Sequence, residues 1–408
     1  MGFAEKIVLT ALQYFSARLP TGEVNAVVVQ VISKLLNEKL KSIKPLIQGP
    51  AEQALTREIG SPREWKRVNA LRIATETVKA PSAPVFFGQT LAENTAFIDA
   101  MCQYVMNITT YAFALRFVSV GPLRNFILNL VHWRQRRDLP DIVKPLSDLI
   151  AERKLMQSSQ HLGEDAKPFD CVQWAMDQAI PEERKTPEII AQRLILVYSP
   201  IIHATAGAIT NLLYDIASHK EWIEELREEI SGCLAEEGGN WTPNAMAKMV
   251  KFDSFIQESF RMSSGLIPLT MLRVVTCDSF RLDEKFVFPK DTLLAFPTRA
   301  VQHDPDIFPK PDEFDPLRFY KIKHENRKAG PGSLHTSFQL TKIRFGHGRQ
   351  ACPGKFYAIS LIKTIVGQMI LRYDIRYAGG DRPRPAIIDL DPIVLPDPSV
   401  DLEFKARV

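Results

Sequence analysis

Between Ile189 and Ile202 apolar residues run nearly all the way round a helical wheel: Ile189, Ile190, Leu194, Leu196, Val197, Ile201 and Ile202. Such a stretch predicts a long buried helix, not a surface helix with one wet face. Its start is marked by Thr186-Pro187-Glu188, which supplies a capping residue, a proline at the first helical position and an acid in the first turn. The pattern carries the helix to about His219. Pro200 lies inside it and cannot donate to the carbonyl of Leu196, so a kink is expected there. Residues 1 to about 240 read as helices throughout. After Gly238 the pattern changes. A short helix over Lys251–Met262 precedes a region, Thr270–Thr298, of short apolar runs: Leu272-Arg273-Val274-Val275, Phe280-Arg281-Leu282, Phe286-Val287-Phe288 and Leu293-Leu294-Ala295-Phe296. Asp283-Glu284 and Pro289-Lys290-Asp291 separate them, so strands joined by turns are predicted. Residues 299–351 read as irregular. A last helix is expected from near Gly354 to about Tyr373, where Phe356, Ile359, Ile362, Val366, Met369 and Ile370 keep helical spacing.

Composition narrows the class without naming it. The chain has 408 residues, 45% hydrophobic and 24% charged, the balance of a globular protein with a large core. A net charge of +4, with acids and bases interspersed, gives no footing for nucleic acid. The apolar stretch from Val24 to Leu36 is broken by Asn25, Gln30, Ser33 and Lys34, so it does not read as a membrane span, and the N-terminus does not read as a secretory signal. The five cysteines, Cys102, Cys171, Cys233, Cys277 and Cys352, are far apart and odd in number, which points to a reducing compartment. Four of them read as small buried apolar side chains.

Cys352 stands apart because of its neighbours, Phe345-Gly346-His347-Gly348-Arg349-Gln350-Ala351-Cys352-Pro353-Gly354. Two glycines before the cysteine let the backbone turn tightly and approach a flat object. The helix that follows puts the sulfur at a helix N-terminus, where free N–H groups and the dipole are expected to favour a thiolate and lower its pKa. A thiolate so held can push electron density through a haem iron into a bound O–O bond. A zinc site is the weaker reading, because His347 and Cys352 have no second pair at ligand spacing.

This segment resembles the haem-binding loop of the cytochrome P-450 superfamily, F-x-x-G-x-x-x-C-x-G, at all four fixed positions. Glu258-Ser259-Phe260-Arg261 resembles the family's E-x-x-R, two residues three apart on one helix face. Phe314-Asp315-Pro316-Leu317-Arg318-Phe319 resembles its P-x-R-F segment, so the resemblance makes Glu258, Arg261 and Arg318 a structural brace for the cysteine loop. The long apolar helix resembles the family's central helix over the haem. Ala206-Gly207-Ala208-Ile209-Thr210 fits the oxygen-activation motif A-G-x-x-T literally, yet Tyr214-Asp215-Ile216-Ala217-Ser218-His219 resembles the stretch that follows that motif in eukaryotic members. Counting back from it puts the acid–threonine pair at His203-Ala204, with Thr205 next. The usual threonine would then be Ala204, and His203 and Thr205 become the catalytic candidates for proton delivery.

Further roles follow from the same resemblance. Phe345, Gly346, Gly348, Arg349, Cys352 and Gly354 would cradle the haem, with Cys352 as the iron ligand and Arg273 as a propionate partner. By charge alone, Lys342, Arg344, Arg349 and Lys355, which flank the loop, read either as a basic face for an acidic electron donor or as a plain solvated charged face. The implied protein is mostly α with small β-sheets, a single cytochrome P-450 domain over 1–408 that lacks the usual N-terminal anchor and first sheet region. Its implied activity is a monooxygenase acting on a small hydrophobic metabolite in fungal secondary metabolism. It would use haem b (iron protoporphyrin IX), O2, and electrons from NADPH through a flavoprotein reductase, at the cytosolic face of the endoplasmic reticulum membrane. Two other readings stay open. Ala204 also suits a haem-thiolate enzyme that rearranges, dehydrates or couples its substrate without standard oxygen activation, and the short N-terminus suits an inactive truncated haem protein.

Overall fold

The computed structural model describes residues 35–117, 123–159, 167–179, 186–263, 270–328, 343–346, 351–389 and 394–407. The helices and strands, in chain order, are α1 (Leu40–Glu58), β1 (Lys66–Asn69), α2 (Ala70–Ala92), α3 (Thr95–Phe117), α4 (Leu123–Ser159), α5 (Cys171–Gln178), α6 (Pro187–Ser218), α7 (Ile223–Ala235), α8 (Pro243–Lys248), α9 (Val250–Met262), β2 (Thr270–Val274), β3 (Ser279–Arg281), β4 (Val287–Pro289), β5 (Leu293–Phe296), α10 (Thr298–Gln302), α11 (Arg318–Lys328), α12 (Lys355–Arg372), β6 (Tyr373–Tyr377), β7 (Ile388–Asp389), β8 (Val394–Leu395) and β9 (Asp401–Ala406). The fold class is mostly α with small sheets. Chain packing sorts the described residues into two compact units: those up to 46 with 79–202, and 47–78 with those from 203 onward.

In the first unit α3 packs along α4, and an aromatic cluster forms its core. The Phe87 ring lies 4.7 Å from Tyr198 and 5.4 Å from Phe97, in edge-to-face geometry. Gly88 breaks α2 with φ 74°. A Cβ there would stand 2.6 Å from a carboxylate oxygen of Asp170, which is buried in a two-pronged pair with Arg153 at 2.6 and 2.7 Å. Asp170 also caps α5, accepting from the amide of Gln173 at 2.9 Å.

In the second unit α12 is buried along most of its length, with α7 packed on it. Gly367 has no side chain because the Trp241 indole occupies its place: a Cβ would meet the ring at 2.1 Å. Helix α12 runs into β6 with no intervening residue, and at this junction the Arg227 side chain from α7 donates to Ile370 O and Tyr373 O at 2.8 Å each. Strand β6 alternates buried and half-buried residues and pairs with β9, which pairs in turn with β1; both pairings are antiparallel. Strands β2–β5 form one hairpin-like pair and β3–β4 another.

The strands expected between Thr270 and Thr298 and the last helix fall where the pattern puts them. The long apolar helix spans Pro187–Ser218, and its backbone stays helical through Pro200. Among the described residues it alone is long and apolar enough to cross a bilayer, and most of its apolar window is buried inside the protein, as a core helix is. Two readings need correction. Residues 1–240 are not all helical, because β1 lies at Lys66–Asn69, and 299–351 is not all irregular, because α11 starts at Arg318. The cysteines also differ from expectation: Cys171 is buried, but Cys277 is exposed.

Candidate active site

Helix α9 exists because Phe252, Phe255, Ile256 and Phe260 make one apolar stripe, and that burial takes Glu258 and Arg261 inside with it. Glu258 is 0% exposed, Arg261 1% and Arg318 8%. The Glu258 carboxylate accepts from Arg261 Nε at 2.9 Å and Nη2 at 2.8 Å, from Arg318 Nε at 3.0 and 3.1 Å, and from the amide of Asp315 at 3.0 Å. The remaining guanidinium donors face backbone. Arg261 reaches Gln302 O at 2.8 Å and Pro311 O at 2.6 Å; Arg318 reaches Pro309 O at 2.6 Å and Glu313 O at 2.8 Å. Three side chains that are 60 positions apart at their widest thus hold the carbonyls of segment 302–313 in place.

The cysteine loop is anchored next to this cluster. A turn of 3-10 helix, Ile343–Phe345, leads to Gly346, whose φ of 72° suits glycine. The Phe345 carbonyl accepts from the Cys352 amide at 2.5 Å, closing the loop on itself. The Phe345 ring meets Phe260 of α9 edge-on, 6.4 Å between centroids. Gly354 stands at the N-cap of α12, and the backbone N–H groups of Gly354 and Lys355 donate to the Cys352 sulfur. The residue is exposed, yet enough protein surrounds the sulfur that burial pushes its thiol up; the two N–H groups and the Lys355 charge oppose that rise. The expected lowering of the thiol pKa is therefore not the net result, because desolvation outweighs the helix N-terminus. The donor set still suits a thiolate once a cation pays that desolvation through a bond to sulfur. Donors on sulfur, a left-handed glycine and an exposed sulfur-bearing residue fit a haem iron that would be held through that sulfur.

Other candidates lie as follows. Arg273 is exposed on β2 opposite Leu294, next to an irregularity in the pairing. His203 and Ala204 are half-buried and Thr205 is buried on α6. Thr210 is wholly buried and donates to Ala206 O at 2.8 Å within its own helix. Gly348 and Arg349 lie outside the described residues, as does Lys342. The basic face expected around the loop loses a member, because Arg344 turns inward onto Phe260 and Phe345. Lys355 lies over the exposed Phe356 ring at 5.0 Å. Sequence reasoning missed one buried network on the same helix: Asp215 is paired with Arg384, which also donates to Asn211 at 3.2 Å.

Comparison with known proteins identifies the family. The Cytochrome P450 family model matches residues 29–404. A cytochrome P450 monooxygenase, sttB, of Aspergillus terreus is 49% identical over 397 residues, covering 97% of this chain and 75% of the relative. An aspergilol synthase, AuAP450, of Aspergillus ustus is 49% identical over 394 residues, covering 96% and 72%. Among solved structures, retinoic acid bound cyanobacterial CYP120A1 superposes with a TM-score of 0.68 at 20% identity, over 93% of this chain and 78% of that one. The chain belongs to the cytochrome P450 family. It is a haem-dependent monooxygenase of the fungal secondary-metabolism type, which works with O2, a substrate and a redox partner.

Proposed function

We propose that Cys352 would hold the haem iron through its sulfur and that the enzyme oxygenates a small hydrophobic metabolite with electrons from NADPH, passed on by a flavoprotein reductase. One observation carries the ligand assignment: the Cys352 amide is tied to Phe345 O while two N–H groups at the start of α12 point at its sulfur. The bound haem supplies the reducible iron at which O2 is activated. The protein's part is positional. Glu258, Arg261 and Arg318 fix the backbone of 302–313. Phe345, Gly346 and Gly354 shape the loop, with Gly348 and Arg349 in the same segment, and Arg273, exposed on β2, is the candidate partner of a propionate. On α6 the His203 imidazole and the Thr205 hydroxyl are the groups of that turn able to hold and pass a proton, since Ala204 has none. We place the enzyme at the cytosolic face of the endoplasmic reticulum membrane, as a fungal member of the family. The ent-kaurene oxidase of Gibberella intermedia, 30% identical over 387 residues, bears a name that favours a hydrocarbon-rich substrate here too.

The test is the carbon monoxide difference spectrum of reduced wild type and Cys352→Ala. A strongly red-shifted Soret band in the wild type that vanishes in the variant is the expected result; a band that survives the substitution refutes thiolate ligation by Cys352. Ala204 favours a second reading, in which the haem-thiolate centre rearranges or couples its substrate. Full turnover without O2 and reduced nicotinamide cofactor would decide for it.

A further inference from the structure

Arg344 is the one basic side chain of the cysteine loop that the described structure turns into the protein. Its guanidinium lies 4.4 Å from the centre of the Phe260 ring and 5.5 Å from that of Phe345. One arm donates to Gln257 O at 3.3 Å, and Nε is buried with no acceptor among the described residues. Burial pushes its pKa down, with only the distant charge of Asp253 acting the other way. A guanidinium in this state is expensive, and no carboxylate hydrogen bond offsets it among the described residues. What it gains is the attraction of a cation to two aromatic rings, which strengthens when water is excluded.

The position of those two rings gives the cost a purpose. Phe260 sits between Glu258 and Arg261 on α9, and Gln257 precedes them. Phe345 is the residue whose carbonyl receives the Cys352 amide. One side of Arg344 is therefore fixed to the helix of the buried ion cluster, and the other to the backbone that sets where the sulfur stands. We propose that Arg344 is a positioning residue for the thiolate: it clamps the Ile343–Phe345 turn to α9 and so fixes Cys352 through the Phe345 carbonyl. This rests on Cys352 being the iron ligand.

The experiment uses the haem-loaded full chain and compares wild type, Arg344→Met, Arg344→Lys and Phe260→Leu. The readout is the rate at which the reduced, carbon monoxide-bound protein loses its red-shifted Soret band in mild denaturant while haem stays bound. Loss about tenfold faster or more is expected in all three variants, because each removes the guanidinium or one of the rings it lies over. Arg344→Lys keeps the charge but not the branched guanidinium that reaches both rings and Gln257 O together, and is expected not to rescue. Where Arg344→Met does not fold, Arg344→Lys and Phe260→Leu give the same reading. Bands that decay at the wild-type rate in the variants overturn the proposal. So does a rescue by lysine, which would reduce the role to charge. Failure of the underlying ligand assignment looks different: the wild type itself would lack the red-shifted band, or Cys352→Ala would keep it.

Discussion

Replacing Glu258 by Gln changes one atom and tests the buried cluster at its centre. The carboxylate takes hydrogen bonds from Arg261, Arg318 and the Asp315 amide, and it is the only carboxylate these two guanidiniums contact among the described residues. Glutamine keeps the shape but turns one acceptor into a donor facing a cation, and it leaves two buried positive charges without an anion. Removing one partner of a buried ion pair costs about 3–5 kcal/mol, because the charge left behind stays desolvated. For 408 residues an unfolding entropy near 2.1 cal/mol/K per residue translates that into a melting point lower by about 4–6 °C. Circular dichroism melts and haem content per chain, measured together, are the assay. A control comes from Lys310→Ala, which removes an exposed pair with Glu313 and should cost under about 1 kcal/mol. If Glu258→Gln melts within 1 °C of wild type with full haem content, the argument that this cluster holds segment 302–313 by charge is wrong.

Two more expectations follow from the second unit. Gly367→Ala forces a Cβ into the Trp241 ring, so a loss of about 1–3 kcal/mol in urea unfolding is expected, and Gly367→Ala with Trp241→Leu should recover part of it. Asp215 has its pKa raised by burial, against the opposing charge and hydrogen bond of Arg384. A folded carboxyl that binds its proton more tightly than the unfolded one makes the folded state less stable as pH rises from about 4 toward that raised value. Asp215→Asn removes this titration, so its stability should fall less than the wild type's over that interval; parallel pH profiles would contradict the assignment.

How much of this could be read in advance depended on whether the signal was local. The last helix, the Pro187–Ser218 helix and the four short strands after Thr270 announce themselves through periodicity, caps and turn residues. The Phe345–Gly354 loop does so through fixed spacing. Strand β1 does not: Lys66-Arg67-Val68-Asn69 buries only Val68, and it is a strand because β9 lies beside it more than 330 residues later. Helix α11 is mostly charged and leans on α9, so its sequence alone resembles a loop. Strand β6 has a readable alternation, Tyr373-Asp374-Ile375-Arg376-Tyr377, which the end of the preceding helix concealed. Arg344 reads as part of a basic face, because charge alone does not reveal that it will lie over two phenylalanines, one of them in a separate segment.

The seamless passage from α12 to β6 makes this stretch a ruler for what the gene can tolerate. Tyr373, Ile375 and Tyr377 are buried, and the helix they follow fixes their phase with no loop to absorb an error. An inserted or deleted codon at Arg372-Tyr373 would send all three rings and chains to the opposite face of the sheet. It would also misplace the carbonyls that Arg227 holds. Natural length variation among relatives should therefore avoid this junction and collect in connections such as 378–387, where the backbone is neither helix nor strand.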